Sequence, residues 1–267
     1  MCYIENIRTE RDLATDLREL IPDASLRRRM SRIVRQSVAT AVECVGGSPR
    51  LADIDAILTA TGWGCLSDSE RFLRNICETD EQMLNPTPFI QSTFNTVGAQ
   101  LALLGGNRSY NTTYVHRSRS FESALLDATL LLADGDAARA LVGAFDEQTE
   151  TQHQIMERMG CWRRERDGEG AVFCLLTSAP TLRSRAKIVR IDFPDTRLTW
   201  EECLKRYGTT PDTVVLCRDP EAESYPTVSA RLFAEGVAAI VAGAPEAIIY
   251  NEYFGAEPTV TVLQCLP

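Results

Sequence analysis

His116, Arg117, Ser118, Arg119 and Ser120 put an imidazole, two hydroxyls and two guanidiniums into five consecutive residues. They lie between the strand-like SYNTTYVH and the helix-like FESALLDATLLLADG. A turn from strand into helix is where several folds mount a nucleophile, because the helix N-terminus stabilises developing negative charge. A serine there needs an adjacent base. His116 is two residues from Ser118, a spacing that shares one face of a strand, but the chain must turn immediately afterwards. The alternative is a helix cap, in which Ser118 or Ser120 accepts a backbone N–H.

Other reactive types are scattered. Cys65 sits in the turn GWGCLSD with no cation beside it in sequence to lower its pKa. Asp146 and Glu147 end ALVGAFDE, where they are placed to line a pocket mouth, whereas Glu122 and Asp127 fall on a helix and read as exposed or locally paired. Cys174, within AVFCLL, reads as a small buried apolar residue. The G-E-G-A run at 168–171 lacks a following G-K-S/T, so it reads as a turn entering a strand and not as a phosphate loop. The nine cysteines include no C-x-x-C pair and have no histidine at a zinc-like spacing, so neither a metal site nor a cofactor is implied. They read as reduced thiols of a cytoplasmic protein.

The elements that must position these residues alternate. Leu26, Met30, Ile33, Val34, Val38 and Val42 recur at helical spacing through ASLRRRMSRIVRQSVATAVECV. DIDAILTAT is a short buried strand, and SDSERFLRNICE and TPFIQSTFNTVGAQLALLGG are helices, the second ending at Gly105 and Gly106. After the strand and helix that flank Ser118 come the strand ARALVGAFDE and a hairpin-like pair, GEGAVFCLLTS and AKIVRIDF. Then follow the helix TWEECLKRYG, the strand DTVVLC, the helix TVSARLFAEGVAAIVAG and the strands AIIYNEYFG and TVTVLQC. This alternation predicts a layered α/β fold.

A chain of 267 residues, 44% hydrophobic, can bury a substantial core. Its net charge of -9 argues against a general nucleic-acid binder. Nearly all cations are arginine, and the cluster Arg27, Arg28, Arg29, Arg32 and Arg35 reads as a solvated helix face whose planar guanidiniums also suit phosphate or carboxylate. The N-terminus lacks an apolar core for a signal peptide. GVAAIVAGAP is interrupted by Pro245 after about ten residues, short of the ~20 that span a bilayer.

The order of these segments resembles a β-ketoacyl synthase of the thiolase-like superfamily over most of residues 26–178. ADIDAILTATGWGCLSDSERFL, FIQSTFNTVGAQLALLGG, LLADGDAARALVGAFDE and GEGAVFCLL carry the likeness, which is strongest toward divergent, chain-length-factor-like bacterial members. The resemblance implies a thiolase-like αβαβα fold with a shortened C-terminal half. The halves would be 1–195 and 196–267, packed as one unit. A condensing enzyme of this family uses a cysteine at the strand-to-helix turn and two histidines. The resemblance puts the nucleophile position at Ser118, so that the C-x-S pattern becomes Ser118, Arg119, Ser120. Its closing segment YFGAEP puts Glu257 where the second imidazole would stand, and the segment of the first histidine motif is missing.

The implied function is a catalytically deficient synthase-like subunit in fatty-acid, aryl-polyene or polyketide-type biosynthesis. It would form a homodimer, or a heterodimer with an active ketosynthase, through Asn111, Thr112, Thr113, Tyr114 and Val115. Arg28 and Arg32 would dock an acyl carrier protein. Two other readings stay open: an acyl-thioester transferase or hydrolase using Ser118 or Cys65, and a non-catalytic acyl-binding homodimer.

Overall fold

In the computed structural model the described residues are 2–161, 166–217, 223–253 and 258–266. The strands are β1 (Cys2–Thr9), β2 (Ala56–Ala60), β3 (Tyr110–Tyr114), β4 (Arg139–Asp146), β5 (Arg166–Asp167), β6 (Gly170–Thr177), β7 (Ala186–Asp192), β8 (Val214–Cys217), β9 (Glu223–Ser224), β10 (Glu246–Asn251) and β11 (Thr259–Gln264). The helices are α1 (Leu17–Leu20), α2 (Ala24–Arg29), α3 (Arg32–Val45), α4 (Leu66–Glu78), α5 (Pro86–Ser92), α6 (Thr96–Gly105), α7 (Ser120–Asp134), α8 (Glu150–Arg158), α9 (Trp200–Tyr207) and α10 (Ser229–Val241).

Nine strands run in the order β3-β2-β4-β6-β1-β7-β11-β10-β8. The pairing pattern repeats. In the first run β3, β2 and β4 are parallel, and β6 is antiparallel to both β4 and β1. In the second, β8 and β10 are parallel, and β11 is antiparallel to both β10 and β7. The runs meet where β1 and β7 pair antiparallel. The first has five strands and the second four, because among the described residues nothing outside β8 corresponds to β3. The repeat begins at Ala186, inside the span expected for the first half.

Strand side chains alternate between faces, and the alternation sets the layers. Ala56, Leu58, Ala60, Val142 and Ala144 face one cluster with Phe121, Leu125, Phe233 and Val237 of α7 and α10. Ile57, Leu141 and Phe145 face the opposite cluster with Ile33, Val34 and Val38 of α3 and Leu101 of α6. In the second run Ala247 and Ile249 point toward α10, whereas Ile248, Val260 and Val262 pack with Cys203 and Tyr207 of α9. The result is the thiolase-like αβαβα arrangement, with α7 and α10 in the middle layer, where Phe121 meets Phe233 edge-to-face at 5.4 Å. Glycine is required at 143, because a Cβ there would lie 2.0 Å from the Phe173 ring.

Three expectations change. GEGAVFCLLTS and AKIVRIDF form β6 and β7 but no hairpin, because β1 lies between them and pairs with both. The sequence from Ala24 to Val45 is two helices: Met30 turns extended (ψ 133°) although its side chain stays buried. The segment from Pro86 to Gly105 is likewise two, broken at the extended Thr93. Hydrophobic periodicity continues through both backbone breaks, with Met30 buried at the first and Phe89, Ile90 and Phe94 exposed around the second. No helix among the described residues is long and apolar enough to cross a membrane.

Candidate functional site

The middle layer brings the N-terminal ends of α7 and α10 together with the C-terminal ends of β2, β4 and β10. Helix α7 follows from Phe121, Ala124, Leu125, Ala128 and Leu132 at helical spacing and stops at Gly135, left-handed at φ 83°. The turn that feeds it, Arg117–Arg119, is a short 3-10 segment. Its strained residue is Arg117, at φ 53°, where a non-glycine side chain is disfavoured. Strain therefore falls one position before Ser118.

Ser120 closes this turn. Its hydroxyl lies within donating reach of the carbonyls of Thr61 (2.9 Å) and Arg117 (2.8 Å) and accepts from the His116 N–H at 2.8 Å. Ser118 is buried, and its carbonyl accepts from Asn251 Nδ2 at 3.1 Å. Neither residue caps α7 through its side chain in the expected way. The imidazole of His116 pairs through Nδ1 with Ser123 Oγ at 3.1 Å, and that of His153 with Asp167 at 2.7 Å. Among the described residues neither ring is bonded to Ser118. Glu257 lies outside the described residues.

Two carboxyls flank the turn. Asp146, at the end of β4, is fully buried and accepts five hydrogen bonds: Thr61 Oγ1 (2.9 Å), Gly62 N (2.9 Å), Trp63 N (2.7 Å), Thr227 N (2.9 Å) and Thr227 Oγ1 (2.7 Å). It fastens the loop after β2 to the segment that opens α10. The loop runs so close to Pro226 that a Cβ at Gly62 would lie 2.3 Å from it. Its neighbour Glu147 accepts from Ser67 N at 2.9 Å and so holds the first turn of α4. Both are structural fasteners in place of the open pocket mouth expected of them.

Glu122 is the opposite case. Its place on a helix predicts an exposed or locally paired carboxyl, yet it is 2% exposed, because the first turn of α7 points into the middle layer. Its Oε2 has no hydrogen-bond partner among the described residues. Burial pushes its carboxyl up to about 7; the hydroxyls of Ser229 and Thr259, which lower it, lie close without closing a well-formed bond. Thr259 stands opposite Asn251 across the β10–β11 ladder, so these groups line one polar space beside Ser118. Sequence spacing gave no sign of it, since Ser229, Asn251 and Thr259 come from three distant segments.

Cys65 is completely buried before α4, and burial, followed by the charge of Glu147, holds its thiol protonated well above the usual range. Cys174 is a buried core residue as expected. Asp127 is locally paired, accepting from the hydroxyls of Tyr110 and Tyr114 at 2.9 Å each. These tyrosines and Thr112 share one face of β3, while on the other Asn111 Nδ2 donates to the Gly98 carbonyl and Thr113 meets Thr59. Val115 is exposed just beyond. Among the described residues no strand pairs with the outer edge of β3. Arg32 forks onto Glu169 and also neighbours Glu147, so its guanidinium is engaged within the chain; Arg28 is exposed. No group of three or more His, Cys, Asp or Glu among the described residues is placed to hold a metal ion.

The family description "Beta-ketoacyl synthase, N-terminal domain" matches residues 6–190. The chain belongs to the β-ketoacyl synthase family. No curated protein sequence matches it. Among solved structures, this synthase-family chain is similar to the ishigamide ketosynthase/chain length factor, with 15% identity and a TM-score of 0.74 over 95% of this chain and 86% of that one. It is similar to a type II PKS acyl-carrier protein in complex with its ketosynthase bound to the hexaketide (AntDE:AntF), at 11% identity and TM-score 0.72, covering 99% of each chain. A ketosynthase in complex with its chain length factor from Xenorhabdus doucetiae matches at 12% identity and TM-score 0.63, covering 98% of each. At such identities the likeness establishes the fold.

Proposed function

We propose that the chain is a non-condensing, chain-length-factor-like subunit that pairs with an active β-ketoacyl synthase in polyketide, aryl-polyene or fatty-acid biosynthesis. The observation that carries this reading is the strand-to-helix turn. It presents Arg117 and Ser118 in place of a thiol, and behind it lie hydroxyls and the Glu122 carboxyl, whose Oε2 has no hydrogen-bond partner among the described residues. Carbon–carbon bond formation through an acyl-enzyme needs a nucleophile and an acid–base partner. Ser118 has no imidazole partner among the described residues, and the Cys65 thiol is sealed in the core. Solved assemblies of similar fold include a ketosynthase with its chain length factor and one with its carrier protein, which supports the same two partners here.

The pairing surface is the open edge of β3, Asn111 to Val115, where a partner's strand would continue the sheet. Carrier-protein docking would use Arg28, with Arg32 contributing while it holds Glu169. Co-expression with a complete ketosynthase and gel filtration at micromolar concentration tests the assignment. A stable one-to-one complex that weakens when Thr112→Pro blocks the β3 edge is expected. Two proteins eluting separately would overturn it.

A further inference from the structure

A second region carries chemistry beyond ketosynthase pairing, and it shares Arg28 with the carrier-protein docking proposed above. Helices α1, α2 and α3 enclose a surface groove of about 440 Å³ lined by Asp16, Arg18, Arg27, Arg28 and Arg35 together with Leu17 and Ala24. Four arginines meet one carboxylate in a chain whose net charge is -9. Several other guanidiniums find carboxylates, Arg8 with Glu43, Arg11 and Arg231 with Glu223, Arg32 with Glu169, Arg139 with Glu5 and Arg197 with Glu252, while isolated ones such as Arg74 and Arg108 have none among the described residues. Among the described residues Arg18, Arg28 and Arg35 form no ion pair. Arg27 is partly occupied, donating to the carbonyls of Ile21 and Pro22, and Asp16 is turned to its own helix, accepting from the Arg18 N–H at 2.6 Å.

A helix-dipole role accounts for the arginines in the last turn of α2 and for Arg18 in that of α1, but Arg35 stands in the first turn of α3, where a cation has no such role, and the groove sets it beside them. Converging, unneutralised guanidiniums repel one another unless an anion bridges them. Their planar forks match the oxygens of phosphate in bidentate fashion, and three of them supply more donors than a single carboxylate accepts. The groove has room for a diphosphate-sized group. We propose that this groove is a binding site for a phosphorylated small molecule, held by Arg18, Arg28 and Arg35. The assignment does not involve the β3 edge, so its failure would leave the pairing with a ketosynthase untouched, while loss of the β3 contact would leave the groove intact.

The test is calorimetric titration of the full chain with inorganic pyrophosphate at constant ionic strength, in parallel with its thermal-unfolding midpoint. The expected result is saturable binding accompanied by a rising midpoint. Arg28→Ala and Arg35→Ala should each weaken affinity about tenfold, as loss of a charge-assisted contact does. Arg29→Ala, outside the groove, should change nothing. Absence of saturation, or equal affinity in the Arg28→Ala/Arg35→Ala double variant with an unchanged circular-dichroism spectrum, would overturn the site. Tighter saturation by a phosphoserine peptide than by pyrophosphate would overturn the small-molecule assignment.

Discussion

Asp146 and Glu122 are both carboxyls buried at the edges of the same middle layer, yet they differ in every partner. Asp146 takes five donors, three from the loop after β2 and two from Thr227, whereas Glu122 leaves one oxygen without any among the described residues. A satisfied buried carboxylate holds a fold together, while an unsatisfied one costs stability. The first therefore belongs to the scaffold that shapes the site, and the second to the site itself, where burial has been kept at a cost.

The comparison is broken most severely by Asp146→Ala, which strands five donors at once. We expect a loss on the order of 4 kcal/mol in urea-unfolding free energy, or failure to fold. Glu122→Gln isolates the Glu122 contribution by pH; burial also raises the Asp146 carboxyl, which is the same in both proteins. The folded-state pKa of Glu122 lies near 7 against 4.5 for the unperturbed acid, so the wild type is unburdened below about 4.5 and loses stability as pH rises toward 7. The variant, which cannot ionise, should be more stable than wild type by about 3 kcal/mol at pH 8 and nearly equal at pH 4. Equal stability differences at both pH values would mean that Glu122 is compensated after all. Ser120→Ala removes the hydroxyl that closes the strained turn and should cost about 1–2 kcal/mol in the same assay. Smallest is Tyr110→Phe, at the exposed rim, where losing one bond to Asp127 should cost about 0.5 kcal/mol or less, since Tyr114 keeps its own.

The contrast also shows what a sequence can carry. The alternating strands, the helix α7, the glycine stop of α6 and the family likeness over the first half were legible, because each is written in local spacing. Strand β1 was not, since CYIENIRT mixes charges into a strand whose central position comes from pairing with β6 and β7. The break at Met30 was hidden because its side chain stays buried, and that at Thr93 because the apolar Phe89, Ile90 and Phe94 around it continue a helical spacing although they are exposed. At the site, Ser118 and Cys65 were visible by type, but the burial of Cys65 depends on tertiary packing. The strained position at Arg117 depends on backbone torsion. The Glu122 cluster was out of reach, for its four members are joined only when α7, α10, β10 and β11 converge. Asp146 was seen as a strand-end carboxylate, and only its partners reveal it as an anchor.

The claim that this chain does not itself form carbon–carbon bonds is tested most directly by intact-protein mass spectrometry after incubation with acyl and malonyl thioesters. An unmodified mass and no condensation product are expected. A covalent acyl adduct that maps to Ser118 and disappears in Ser118→Ala would contradict it.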